Sequence, residues 1–165
     1  MPIAWGLFAK QWLKRAERRD AVVDDADRFL CLWKAFNGWM KSQYGESSTD
    51  DRLIECAKRD TGLFQHFKQL QENDNEFKEN LDSLSVFQIA DLRYVGDVEQ
   101  PENAAIQYDG SYDSLMDALY RVRCNLFLGN KDPAEEAKDK ELISLTYNIL
   151  YPLFKGYFKS SSYAF

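Results

Sequence analysis

Histidine and cysteine, the residue types from which many metal and covalent sites are built, are scarce in this chain of 165 residues. It contains one histidine and three cysteines, Cys31, Cys56 and Cys124, and no Cys-x-x-Cys pair. This excludes a zinc site of cysteine and histidine ligands, and we expect neither a metal nor another cofactor. An odd number of widely spaced cysteines also indicates reduced thiols rather than a disulfide framework.

Long apolar runs are absent as well. No segment approaches the roughly 20 apolar residues that are needed to span a bilayer. In the opening segment MPIAWGLFAKQWLKR the charges follow a short apolar stretch, which is the reverse of the order in a signal peptide. We therefore expect a cytoplasmic protein that does not contact membranes.

The chain is rich in residues that build a core. It is 45% hydrophobic and 15% aromatic, which excludes wholesale disorder, and its length suits one domain over residues 1–165. A net charge of -6 argues against a protein that coats nucleic acid with its whole surface, although a local basic cleft remains possible. Residues 72–117 hold twelve acidic and two basic residues, so any RNA path must avoid them.

Apolar residues recur at helical spacing along most of the chain, which predicts an all-α, up-and-down bundle of four or five helices. We expect residues 94–110 to form an irregular loop or short hairpin and residues 159–165 to fray. Pro152 should kink or interrupt the final helix. We expect helices over residues 4–19, 24–43 and 111–128, and a last helix that starts at Asp132-Pro133. A further helical segment opens at the capping run Ser48-Thr49-Asp50-Asp51, breaks at Thr61-Gly62 and continues weakly over residues 72–82.

The first helix carries a basic face opposite its tryptophans. The basic residues are Lys10, Lys14, Arg15, Arg18 and Arg19. This face is either a contact for RNA or a partner protein, or an ordinary solvated surface, and the solvated surface is the more common case.

Two strings in the sequence resemble the HEPN domain, the higher eukaryote and prokaryote nucleotide-binding family. Residues 28–40 read RFLCLWKAFNGWM, and residues 120–131 read YRVRCNLFLGNK. Prokaryotic members of the family commonly have a helix with LWxAFNxW and a helix that ends in VRxNLFHGxK. The final helix, DKELISLTYNILYPLF, is also compatible with the family.

The resemblance implies a helical bundle that often dimerises and, in many members, a metal-independent endoribonuclease of toxin–antitoxin, CRISPR-associated or anti-phage systems. The family signature is an arginine followed after four to six residues by a histidine, and two such helices form one cleft across the dimer. The ribose 2′-hydroxyl attacks the adjacent phosphorus. Histidine exchanges the protons, and arginine stabilises the phosphorane charge.

Carried over to this chain, Arg123 matches the signature arginine and Asn125 the polar residue within the motif. The position of the histidine is occupied by Leu128. Leucine cannot transfer a proton, and general acid–base catalysis is worth typically ~10² to 10⁴ in rate, so we expect this chain to be nearly or wholly inactive. Leu128 is either native to a degenerate, non-catalytic binding module or a disabling substitution in a toxic nuclease.

Further residues are assigned with two interpretations each. Asn37 either packs with a satisfied amide or faces Arg123. Arg121 and Lys131 bracket the motif and either bind RNA phosphates or are exposed charges near a helix end. His66 is either a helix-packing residue or, less commonly for such a position, a substitute base. The partners that the resemblance implies are RNA, a second copy of the chain, and an antitoxin or sensor protein.

Overall fold

The computed structural model describes residues 4–19, 24–90, 105–128 and 137–160. Within these ranges the chain forms seven helices and one pair of short strands, which confirms the all-α prediction. The strands β1 (Gln88–Ile89) and β2 (Ile106–Gln107) pair antiparallel. The helices are α1 (Trp5–Ala16), α2 (Asp25–Tyr44), α3 (Asp50–Arg59), α4 (Thr61–Asn73), α5 (Asn75–Leu84), α6 (Tyr112–Leu128) and α7 (Ala137–Ser160).

Helix α1 lies antiparallel along α2. Phe8 packs against Gly38, and Trp12, one turn further along α1, lies below Lys34, one turn earlier on α2. A Cβ atom at Gly38 would come within 2.6 Å of Phe8 Cδ1, so only glycine allows the two helices to approach this closely. The glycine in the string AFNGW therefore has a packing role.

Helix α2 lies at the centre of the fold, where it contacts α1, α3, α6 and α7. Phe36 and Trp39 stack at a centroid distance of 5.9 Å, and both meet Phe154 of α7 edge-on. Burying one large apolar side chain contributes about 1.5–3 kcal/mol, so this contact is a major part of the core. Trp33 and Trp39 are both almost completely buried in this core.

The predicted number of four or five helices is wrong, because the segment after α2 divides into three short helices. Asp60 caps α4 by accepting the backbone N–H of Leu63 at 3.0 Å, which confirms the break at Thr61-Gly62. Asp74 caps α5 in the same way through Phe77 N–H at 3.0 Å. This second break was not predicted. The side-chain cap satisfies a backbone donor that the helix start leaves free, so a new helix begins there.

Helix α7 continues through Pro152 to Ser160, so the predicted interruption at this proline is wrong. Proline removes one backbone hydrogen bond, but Leu150, Leu153 and Phe154 on both sides of it are fully buried. Their packing holds the helical backbone in place. The helix includes residues 159 and 160, which follow the buried Phe158, and the rest of the predicted frayed tail lies outside the described residues.

The acidic region after α5 is only partly described. Residues 91–104, which include most of the predicted loop 94–110, lie outside the described residues, as do the expected helix start at Asp132-Pro133 and residues 161–165. Within the described part, Ile106 pairs with Ile89, which precedes the predicted segment, so a loop or hairpin over residues 94–110 stays a prediction. The pair packs against α6 and supports the helix that carries Arg123.

Candidate functional site

The two strings that carry the family resemblance meet at one carboxylate. Asp50 Oδ1 accepts a hydrogen bond from Asn37 Nδ2 at 2.8 Å, and Asp50 Oδ2 pairs with Arg123 Nη2 at 2.6 Å. Asn37 comes from α2, Asp50 is the first residue of α3, and Arg123 lies on α6. The amide of Asn37 is thus satisfied by Asp50, which also pairs with Arg123, and both interpretations of Asn37 stay predictions.

Local sequence explains why Asp50 occupies this place. Thr49 is the N-cap of α3, and its side chain accepts no backbone hydrogen bond, so the expected capping box does not form there. Asp50 is thus free to bond across the helix interface instead of capping its own helix. Because α3 packs on both α2 and α6, its first turn lies where a carboxylate can reach donors on both neighbours.

The guanidinium of Arg123 is held on several sides. Its Cζ lies 4.5 Å from the ring centroid of Phe127, one turn further along α6, and its Nη1 lies 3.9 Å from Cys124 Sγ. The side chains of Arg123 and Asp50 retain 19% and 25% of their solvent exposure, so neither is completely shielded from solvent. Arg123 Nε is buried and has no hydrogen-bond partner among the described residues.

Tyr120 lies beside this cluster, one turn before Cys124 on α6, and packs on Trp33 at a centroid distance of 6.2 Å. Burial, followed by the neighbouring Cys124 thiol, raises the pKa of Tyr120 to about 12. The phenol therefore stays protonated at neutral pH and cannot act as a base there. The described part of the cluster supplies a cation, a carboxylate and hydrogen-bond donors, and it contains no imidazole.

Arg121 and Asn125 occupy a different face of α6 from Arg123, because residues two positions apart on a helix point in different directions. Arg121 Nη1 donates to Ile89 O at 3.3 Å, and Asn125 Nδ2 donates to Ala90 O at 2.8 Å. The structure thus places both side chains against the backbone around β1.

Leu128 is the last residue of α6, one turn after Cys124, so the motif does lie at a helix end. Lys131 falls outside the described residues. His66 lies on α4 with its Nε2 3.4 Å from Pro152 O and against Gly156, and both of these residues belong to α7. These contacts agree with the helix-packing interpretation of His66, since they join α4 to α7 and do not involve Arg123.

Asp50 is the site residue that the sequence did not reveal. In the sequence it belongs to a run of four residues that favour a helix start. Nothing in that run distinguishes a capping side chain from one that bonds to neighbouring helices. The described residues hold no group of three or more histidine, cysteine or acidic side chains suited to a metal ion. In the same part of the chain, every helix is too short or too polar to cross a membrane.

Comparison of the chain with protein-family models, with curated proteins and with solved structures gave no match. A functional proposal therefore has two supports: the pair of strings in the sequence, and the contacts that bring those strings together at Asp50.

Proposed function

We propose that this chain is an RNA-binding protein of the HEPN ribonuclease type in which cleavage is disabled by Leu128. The main support for this proposal is the Asn37–Asp50–Arg123 cluster, because it brings together residues from the two sequence strings that resemble the family. Arg123 is oriented and partly exposed near the end of α6, as a residue that binds a phosphate needs to be.

In the proposed reaction of an active form, the 2′-oxygen of a ribose forms a bond to the adjacent phosphorus and the bond from phosphorus to the 5′-oxygen breaks. One proton leaves the 2′-hydroxyl and another is delivered to the departing 5′-oxygen. Arg123 would stabilise the negative charge on the phosphorane. Leu128 can supply neither proton transfer, which is why the chain as it stands binds RNA without cutting it.

The test restores the missing group. Leu128→His should produce cleavage of single-stranded RNA in the presence of a chelator, with a gain of about 10²- to 10⁴-fold over the unchanged chain. Leu128→Gln is the matched control, since it adds a polar group that does not titrate. Adding Arg123→Ala to the histidine variant should abolish cleavage. A folded Leu128→His variant that binds RNA but leaves it uncut would contradict the nuclease proposal.

The proposal includes a homodimer in which two copies of α6 meet. It is supported by Phe127, which lies beside Arg123 and keeps 44% of its exposure, so that its ring is available to pack against a second copy. Phe127→Ser should then give a monomer by light scattering coupled to size exclusion, while the unchanged chain gives a dimer. A monomeric unchanged chain would contradict the shared cleft.

A second candidate, a non-catalytic interaction module of the same type, is favoured by one observation. Asp50 already neutralises Arg123, which is the arrangement of a structural ion pair. In that case Arg123→Ala should lower the free energy of unfolding by about 1–3 kcal/mol and leave RNA binding unchanged. The nuclease-type proposal expects the same substitution to weaken RNA binding, so one titration separates the two.

A further inference from the structure

One side of α2 connects the Arg123 cluster with the aromatic residues of α1. Leu30, Lys34, Asn37 and Lys41 recur at intervals of four, three and four residues, which places them on one face of the helix. All four are half-buried. We call this row the α2 stripe. Its member Asn37 bonds to Asp50, which in turn holds Arg123, so the stripe is continuous with the cluster described above.

The lysines of the α2 stripe are held by a row of aromatic rings on α1. Trp5, Phe8 and Trp12 follow one another at centroid distances of 5.2 and 6.1 Å. Lys41 Nζ lies 4.8 Å from the centroid of Trp5, and Lys34 Nζ lies 4.1 Å from that of Trp12. The rings therefore fix both ammonium groups above the surface between α1 and α2.

A third cation joins them, since Arg15 Cζ lies 4.5 Å from the same Trp12 ring. Two positive groups thus share one indole, and among the described residues no carboxylate lies within ion-pair distance of Lys34, Lys41 or Arg15. The nearby acid Glu46 accepts a hydrogen bond from the indole N–H of Trp5. A row of like charges without a carboxylate at ion-pair distance is the electrostatic pattern of an anion-binding surface.

We infer that the α2 stripe binds the phosphate backbone of single-stranded RNA and leads it towards Arg123, an inference that rests on the proposed function. Lys34 and Lys41 are seven residues apart, so they lie about 10 Å apart along the helix and contact different phosphates of one strand. Their aromatic contacts restrict the side chains before binding, which reduces the entropy lost when a phosphate is bound. RNA is preferred to an acidic protein segment on the strength of the proposed function, because Asn37, in the middle of the row, joins the stripe through Asp50 to Arg123, the proposed phosphate ligand.

The charge distribution supports the same path. Residues 72–117, which repel phosphates, include α5 and the first part of α6. Helix α5 packs mainly on α4 and α7, whereas α1 packs mainly on α2. A strand that lies on the surface of α1 and α2 thus follows elements other than the acidic α5.

The test measures binding of a fluorescent single-stranded RNA of about 12 nucleotides by anisotropy, as a function of salt. Each phosphate contact contributes about 0.7 to the slope of log affinity against log salt, so the double variant Lys34→Gln/Lys41→Gln should reduce that slope by about 1.4. The corresponding loss of affinity near 0.1 M salt is roughly 10- to 30-fold. The charge-preserving variant Lys34→Arg/Lys41→Arg should bind nearly as the unchanged chain does.

The matched control is Lys68→Gln/Lys78→Gln, which removes the same charge from exposed positions on α4 and α5. If this control variant weakens RNA binding as much as Lys34→Gln/Lys41→Gln does, the effect is one of net charge and the inference is overturned. If the unchanged chain binds no RNA, the proposed function fails together with the inference. If Arg123→Ala weakens RNA binding and Lys34→Gln/Lys41→Gln does not, the proposed function stands and the inference is wrong. Equal competition by polyglutamate of the same charge would assign the α2 stripe to a protein partner and overturn it as well.

Discussion

Asp50 neutralises Arg123 at an Oδ2–Nη2 distance of 2.6 Å, so the arginine that the sequence singles out already has an anion beside it. The same carboxylate holds Asn37. Asp50 therefore has two effects on the proposed site. It orients the guanidinium, and it competes with any phosphate that approaches.

Asp50→Asn should separate these two effects. The amide keeps a hydrogen-bonding group near Asn37 and Arg123 but removes the competing negative charge. We expect RNA affinity to rise by about 3- to 10-fold, the contribution of roughly one freed cation. The free energy of unfolding should fall by about 1–2 kcal/mol, because a partly buried guanidinium loses its counter-charge.

Asp51→Asn is the control for that experiment, since it makes the same change of charge at the next residue. Asp51 is exposed, and the Thr49 hydroxyl, the largest cause, lowers the pKa of its carboxyl, so it belongs to the start of α3 and not to the Arg123 cluster. Anisotropy titrations and urea unfolding measure both quantities. Equal RNA affinities for the two variants would show that Asp50 does not compete with RNA.

Asp60 should be the more important of the two aspartate caps in α4 and α5. Besides capping α4, it accepts hydrogen bonds from Tyr44 Oη at 2.7 Å and Tyr157 Oη at 3.2 Å. Asp60→Ala should lower the free energy of unfolding by about 2–4 kcal/mol, since the cap and both hydrogen bonds from the tyrosine hydroxyls are lost. Asp74→Ala loses a cap bond of the same length and should cost about 1 kcal/mol. Urea unfolding compares them, and equal losses would mean that the tyrosine bonds contribute nothing.

The sequence predicted those elements whose signals are local. The periodicity of α2 and α6 and the break at Thr61-Gly62 could be read directly, and they are present. The break at Asp74 could not be read, because an aspartate between two asparagines is compatible with either a helix interior or a cap. Only the bond to Phe77 N–H distinguishes the two.

The candidate site was less accessible from sequence because it depends on contacts between distant helices. A helical pattern shows which residues share a face, but it does not show which helix lies opposite. Asn37 and Arg123 were therefore both identified without the acid that joins them. Arg121 and Asn125 were grouped with Arg123 by the motif, although the helical rotation directs them to the backbone around β1.

The contact between His66 and Gly156 gives a sharp test of how α4 packs on α7. A Cβ atom at Gly156 would lie 2.5 Å from His66 Nε2, which is too close for any atom pair that is not bonded. Gly156→Ala should therefore destabilise the fold by about 1–2 kcal/mol, although alanine is the better helix former. In a chain that already carries His66→Ala, the same substitution should stabilise it by about 0.5–1 kcal/mol.

Thermal or urea unfolding of the four chains gives the coupling energy between the two positions, which we expect to be about 2 kcal/mol. Additive effects would show that His66 moves aside at no cost.

Alkaline pH should destabilise the chain through its buried tyrosines. Burial is the main reason that the pKa values of Tyr108 and Tyr147 are raised from 10.0 to about 12 in the folded state. The folded chain therefore retains protons that the unfolded chain releases, so stability is fully present below about pH 10 and falls as the pH approaches 12. Each of these tyrosines should lower the free energy of unfolding by about 1.4 kcal/mol per pH unit in that window. Urea unfolding between pH 8 and 11.5 measures the decline, and Tyr147→Phe, which has no proton to release, should show a shallower one. A decline equally steep in both chains would mean that Tyr147 titrates as freely when folded as when unfolded.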